Sequence, residues 1–162
     1  MTVGRLRGLR PEVASDARVL ILGSFPGEAS LAARAYYAHP RNHFWPLLGS
    51  VLDEPLLALP YPARLARIKV HGVGVWDTIV ACTRQGSLDS AIRDSVGGEI
   101  SRMRTRAPGI RLVGFNGRTA ARAEARWREA GYATLVLPSS SPAYTRPFEE
   151  KLAAWRAIAA FV

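Results

Sequence analysis

The residues of this chain that could do chemistry on a bound molecule are mostly neutral. Two amides, Asn42 and Asn116, a run of three serines at Ser139, Ser140 and Ser141, and the aromatics Phe25, Tyr37, Phe44 and Trp45 fall where helices or strands should break or begin. An amide offers a donor and an acceptor side by side, and an aromatic face stacks on a flat ring. The set therefore suits an uncharged, planar, hydrogen-bonding ligand such as a nucleobase. Each residue also has a structural reading. Tyr37 suits a core equally well, Phe44 and Trp45 open an apolar helix and fit core packing better than a site, and Asn42 has the position of a helix N-cap. Capping and a role at a ligand are compatible.

Other chemistries lack their residues. His39, His43 and His71 have no regular ligand spacing and Cys82 is the single cysteine, so no metal is expected. Gly23-Ser24-Phe25-Pro26-Gly27 lacks the Gly-Lys-Ser/Thr ending of a phosphate loop, and no serine carries the flanking glycines of a nucleophile elbow. Neither a nucleoside triphosphate nor serine-hydrolase chemistry is indicated.

These residues need a frame to hold them. Residues 18–23 form a short apolar run closed by glycine, which reads as a buried strand, and Pro26-Gly27 turns the loop that follows. Further strands are expected at 73–76, 110–115 and 133–137. Helices are expected at 44–52, 63–70, 97–106, 118–130 and 148–162, with a polar stretch around 83–94. Strands alternating with helices predict an α/β fold, a mostly parallel sheet of about four strands covered on both faces. The carboxyl ends of such strands share one edge, so loops 24–30, 116–117 and 138–142 should converge there. Asp77, just after the second strand, is the one acid near that edge and is held as a reserve proton-transfer group. No repeat or linker divides the chain, so residues 1–162 read as a single domain.

Composition points to a partner. The 162 residues are 48% hydrophobic, enough for a core without staples, and the lone Cys82 in an apolar run fits a small hydrophobe in a reducing compartment. No signal-like segment and no run of eighteen uncharged apolar residues is present, so a cytoplasmic protein that does not engage a membrane is expected. Lys and Arg outnumber Asp and Glu by 22 to 13, a formal charge of +9, and only Lys69 and Lys151 are lysines. An arginine-rich surface attracts nucleic acid, whose phosphates a guanidinium grips in bidentate fashion. A GC-rich coding bias would give the same arginine content with no partner in view.

Three stretches together resemble a known family: Gly23-Ser24-Phe25-Pro26-Gly27, then Tyr37-Ala38-His39-Pro40-Arg41-Asn42-His43-Phe44-Trp45, then Leu137-Pro138-Ser139-Ser140-Ser141-Pro142. They are similar to the uracil-DNA glycosylase superfamily, in particular its hypoxanthine-DNA glycosylase branch, and the likeness runs from Arg18 to the last helix. The middle motif, His-Pro-x-Asn-x-Phe-Trp, is the most specific. The resemblance implies a three-layer α/β/α sandwich and hydrolysis of the N-glycosidic bond of a deaminated base in DNA, without a cofactor and by a monomer.

Mismatch-specific relatives place a water-positioning asparagine in the first motif where this chain has Phe25. The resemblance therefore moves the catalytic role to Asn42. It also implies that residues 23–27 and His39 line the base site, that Tyr37 stacks on the flipped base, and that Asn116 adds a second amide. Ser139, Ser140, Ser141 and Pro142 match the loop that presses on the DNA backbone, while Arg41, Arg118 and Arg146 would hold phosphates. The alternative is a non-catalytic binder of nucleic acid or nucleotides that kept the fold.

Overall fold

The computed structural model describes residues 4–162. Four strands, β2 (Val19–Gly23), β3 (Val73–Asp77), β6 (Leu112–Asn116) and β7 (Thr134–Leu137), form one sheet in the order β3-β2-β6-β7, every neighbouring pair parallel. The register pairs Ile21 with both Val75 and Gly114. β2 is wholly buried, and its alternation divides the core. Val19 and Ile21 face one cluster with Phe44, Trp45, Leu48 and Trp155, whereas Leu20 and Leu22 face another with Trp76, Met103, Phe115 and Trp127.

On the first face lie α2 (Phe44–Leu52), α3 (Tyr61–Val70) and α7 (Phe148–Trp155); on the second, α4 (Ile100–Arg106), α5 (Arg118–Ala121) and α6 (Glu124–Glu129). A short α1 (Glu28–Ala33) follows the first loop. The α/β/α layering and the four-stranded parallel sheet expected from the sequence are thus present.

A second sheet was not anticipated. β1 (Arg5–Arg7), β4 (Ile79–Thr83) and β5 (Arg93–Gly97) pair antiparallel in the order β1-β4-β5. The chain passes from β3 to β4 through Thr78 alone. β5 begins at the end of the polar stretch noted around 83–94 and takes the first residue of the helix expected at 97–106, which begins instead at Ile100. This strand is exposed throughout and paired on one side only, so it carries no hydrophobic alternation to betray it.

Two helices also differ from expectation. The helix expected over 118–130 breaks at Arg122 and Ala123, and the tail expected as one helix over 148–162 tightens into a 3-10 segment at Arg156–Phe161. Apolar spacing marks the buried face of a segment but does not distinguish α from 3-10 winding near a terminus.

Candidate active site

Four strand ends meet at one edge of the parallel sheet. β2 ends at Gly23, a position that must lack a side chain. A methyl group there would stand 2.6 Å from Asp77 Oδ1 and 2.8 Å from the Tyr37 hydroxyl oxygen. Gly23 thus brings a carboxyl and a phenol together over the end of β2. Asp77, the last residue of β3, is fully buried and one of its oxygens, Oδ2, has no partner within the protein; nor does the Tyr37 hydroxyl. Burial, followed by the Asp89 carboxylate, pushes the Asp77 carboxyl up to about 7. The same burial, with Asp77 beside it, raises the Tyr37 phenol above its ordinary value, so Tyr37 remains a neutral donor.

Tyr37 has φ 54°, in the left-handed region that bulky residues avoid. Its ring lies flat on Phe44, centroids 3.8 Å apart and 11° from parallel, and that stack holds it in place. One ring face is therefore occupied, and only the other could meet a base.

Asn42 lies just ahead of α2. Its Oδ1 accepts the Phe44 N–H at 2.9 Å and so satisfies one of the free donors that open the helix. The amide is half-buried, not turned into the core, and the second lone pair of Oδ1 can still accept from water. His39 fixes the preceding turn, its Nδ1 accepting the Arg41 N–H at 3.1 Å.

The serine loop is clasped to both neighbours. Ser140, 1% exposed, donates its N–H to Asn116 Oδ1 and accepts from Asn116 Nδ2 at its hydroxyl, each at 2.9 Å. The Ser140 carbonyl accepts the His43 N–H at 2.9 Å. The end of β6, the serine loop and the segment carrying Asn42 are therefore one hydrogen-bonded unit. Ser139 and Ser141 shape the loop from within: the Ser139 hydroxyl accepts the Ser141 N–H, and the Ser141 hydroxyl accepts the Ala143 N–H. Pro142 follows, half-buried.

Beneath the loop lies a residue that the sequence reading passed over. Lys151 of α7 is fully buried, its ammonium 3.3 Å from His43 Nδ1 and 3.4 Å from the Ser141 carbonyl. Burial lowers the lysine from its ordinary range, and burial together with this cation lowers the His43 imidazole, so the ring is neutral and accepts at Nδ1. A signal was available: Lys151 is one of two lysines in a chain that otherwise uses arginine, and a compact ammonium fits where a guanidinium fork would not.

The first loop behaves otherwise. The Ser24 hydroxyl donates to Asp89 Oδ1 at 2.7 Å, and Gly27 immediately precedes α1. Phe25, 6% exposed, lies with its ring against the Arg84 guanidinium, which also donates to the Pro26 carbonyl at 2.7 Å. The segment between β4 and β5 straps the loop from outside through Arg84, Ser87 and Asp89. The arginines expected to hold phosphates, Arg41, Arg118 and Arg146, are all exposed, and Arg146, just ahead of α7, is paired with Glu150 at 3.0 Å. No group of three or more His, Cys, Asp or Glu among the described residues could hold a metal ion.

A parallel sheet in an α/β/α sandwich, carrying at its carboxyl edge a glycine-cradled carboxyl, a stacked tyrosine and two amides, defines a class. The sequence profile of the uracil DNA glycosylase superfamily matches residues 11–159, and the chain belongs to that superfamily.

Particular relatives narrow the branch. The chain is 38% identical over 149 residues to a hypoxanthine DNA glycosylase of Methanosarcina barkeri, covering 92% of this chain and 94% of the relative. It is equally identical over 152 residues to a hypoxanthine DNA glycosylase of Methanosarcina acetivorans, covering 94% and 96%. Its fold superposes on the solution NMR structure of a protein from M. acetivorans described as a candidate uracil DNA glycosylase, with a TM-score of 0.88, 36% identity, and coverage of 96% of this chain and 97% of that one.

Proposed function

We propose that this protein is a monofunctional DNA glycosylase that releases hypoxanthine from DNA. The family supplies the reaction class, hydrolysis of the N-glycosidic bond, and the two Methanosarcina relatives carry the hypoxanthine name. The observation that carries the reading is the placing of Asn42, half-buried at the head of α2 and tied through His43 and Ser140 to the strand end that bears Asn116.

Departure of a deaminated base passes through an oxocarbenium-like sugar, so little proton transfer is needed from the enzyme. Its tasks are to orient a water, to hold the departing base and to leave the DNA phosphates near the developing cation. Asn42 is assigned the water. Tyr37, stacked on Phe44 by one face, is assigned to the base by the other. Asp77, set beside Gly23 and protonated up to about pH 7, can donate to an acceptor on the base edge as an ionised carboxylate cannot. Asn116 holds the serine loop, since both ends of its amide are engaged by Ser140. Ser139, Ser141 and Pro142 then form the rim pressed on the backbone. The active unit is taken as a monomer.

Oligonucleotides with a single deoxyinosine, deoxyuridine or deoxyxanthosine, paired and unpaired, followed by alkaline cleavage of abasic sites, test this reading. Deoxyinosine should give the fastest product. Salt-sensitive binding with no product from any lesion would leave a non-catalytic binder in its place.

A further inference from the structure

A cavity of about 680 Å³ opens beside the active-site edge, between the exposed strand β5 and the turn joining α5 to α6. Its volume falls within the ~300–1,000 Å³ common for ligand sites. Three arginines line it: Arg93 from the strand side, its Nη1 donating to the Ser90 and Ile92 carbonyls at 2.8 Å, and Arg122 and Arg126 from the helical side. Among the described residues none of the three has a carboxylate within 4.0 Å, whereas Arg128, on the same helix, is paired with Glu124 at 3.0 Å.

The one acid in the lining, Asp89, is engaged by the Ser24 hydroxyl. The Arg126 guanidinium lies close over Gly97, where an added methyl would stand 3.1 Å from its Nη2. A wall of cations without carboxylate partners attracts an anion. Hydroxyls of Thr78 and Thr119 add neutral donors to the same walls.

The cavity also connects with the site. Thr78 in its lining directly follows Asp77, and Asp89 in its lining accepts from Ser24 of the first loop. A strand whose base is turned in over Gly23 would have its adjoining phosphates at this opening. We propose that the Arg93–Arg122–Arg126 groove seats the sugar-phosphate backbone of the DNA beside the extruded nucleotide. The inference rests on the chain acting on DNA but not on which base it removes.

Binding of a fluorescent, lesion-free duplex to the full-length protein, measured across a salt series, reads the groove without any chemistry. Replacing both helical arginines, R122A with R126A, should weaken binding about tenfold near 0.1 M salt and make the slope of log K against log salt shallower by close to two. A second variant, Arg93→Glu on the opposite wall, should weaken binding independently. A charge-matched control, R106A with R156A, removes two exposed arginines, one at the end of α4 and one just past the end of α7, both outside the cavity lining, and it should leave the slope near that of the wild type.

On a lesion-bearing duplex, the groove variant should raise KM and leave kcat at saturating DNA unchanged. Equal slopes for wild type and the groove variant, or an equal loss in the control, would overturn the groove while excision stayed intact. Loss of excision from every lesion by the wild type, with the slope change present, would instead overturn the glycosylase reading alone. Restoration of the slope by R122K with R126K supports a phosphate contact; failure to restore it, with thermal stability lowered, shows the arginines to be structural and removes the proposal.

Discussion

At the scale of single residues the site rests on side chains with two duties, and the duties can be separated. Asn42 caps α2 through Oδ1 and is assigned the attacking water. Asn42→Ala removes both, with ~1 kcal/mol of stability expected from the cap alone. Asn42→Ser keeps a capping oxygen and loses the amide, so its melting temperature should stay near wild type while excision falls by about a hundredfold, as when one positioned polar group is lost elsewhere. Near-wild-type excision by Asn42→Ser, measured in single turnover, would remove Asn42 from the chemistry.

Asp77 gives a pH test. Its folded value lies above the ordinary carboxylate range, so the native state keeps a proton that the unfolded chain releases above about pH 4. Native stability is therefore unpenalised by Asp77 below about pH 4, is lost as pH rises from about 4 to about 7, and stays reduced above. Asp77→Asn should be more stable than wild type at pH 8 by roughly 2–4 kcal/mol, with the gap closing at pH 4. If the protonated carboxyl serves the base, excision by the wild type should fall above pH 7 and that limb should vanish in the variant. Superimposable pH–rate profiles would leave Asp77 with no part in the reaction.

At the scale of elements, the site is made by connections between segments far apart in sequence. The Asn116–Ser140 clasp spans 24 residues and fixes the serine loop to β6. Ser140→Ala removes one of its two hydrogen bonds and should cost about 1–2 kcal/mol, whereas Asn116→Leu removes both and should cost more and lower kcat/KM further. Thermal melts beside single-turnover excision check this, and equal melting temperatures for the two variants would mean that the clasp does not hold the loop.

Such links mark what the sequence could and could not disclose. β2 and β6 are apolar runs ending at glycine and asparagine, and a strand buried on both faces is legible from composition alone. Asn42, Tyr37 and Asn116 stood out as polar or aromatic residues at predicted element ends. β5 was hidden because it is exposed and its partner β4 is fixed by chain crossing, not by pattern. The strap by Arg84, Ser87 and Asp89 was hidden for a similar reason: a buried arginine over Phe25 reads, in sequence, as one more surface cation. Lys151 stood out only as one of two lysines, and nothing in its spacing showed that its ammonium lies under the serine loop.

At the scale of the whole molecule, β2 is shared by both core clusters, and β3 runs into β4 with one residue between them. The parallel sheet and the small antiparallel sheet should therefore lose structure together, since opening β4 pulls on the end of β3 that carries Asp77. Cys82 reports on this. It is fully buried in β4, opposite Leu6 of β1, and burial raises its thiol above the ordinary range, so native protein should be inert to a thiol reagent. Leu20→Ala and Ile21→Ala, which open cavities on opposite faces of β2, should each cost about 2–5 kcal/mol. Both should also speed Cys82 labelling by the factor their loss of global stability dictates, although neither side chain belongs to the small sheet. Labelling that stayed fast and equal in wild type and both variants would mean that the β1-β4-β5 sheet opens on its own, and the strap it lays across the first loop would then be a moving part of the site.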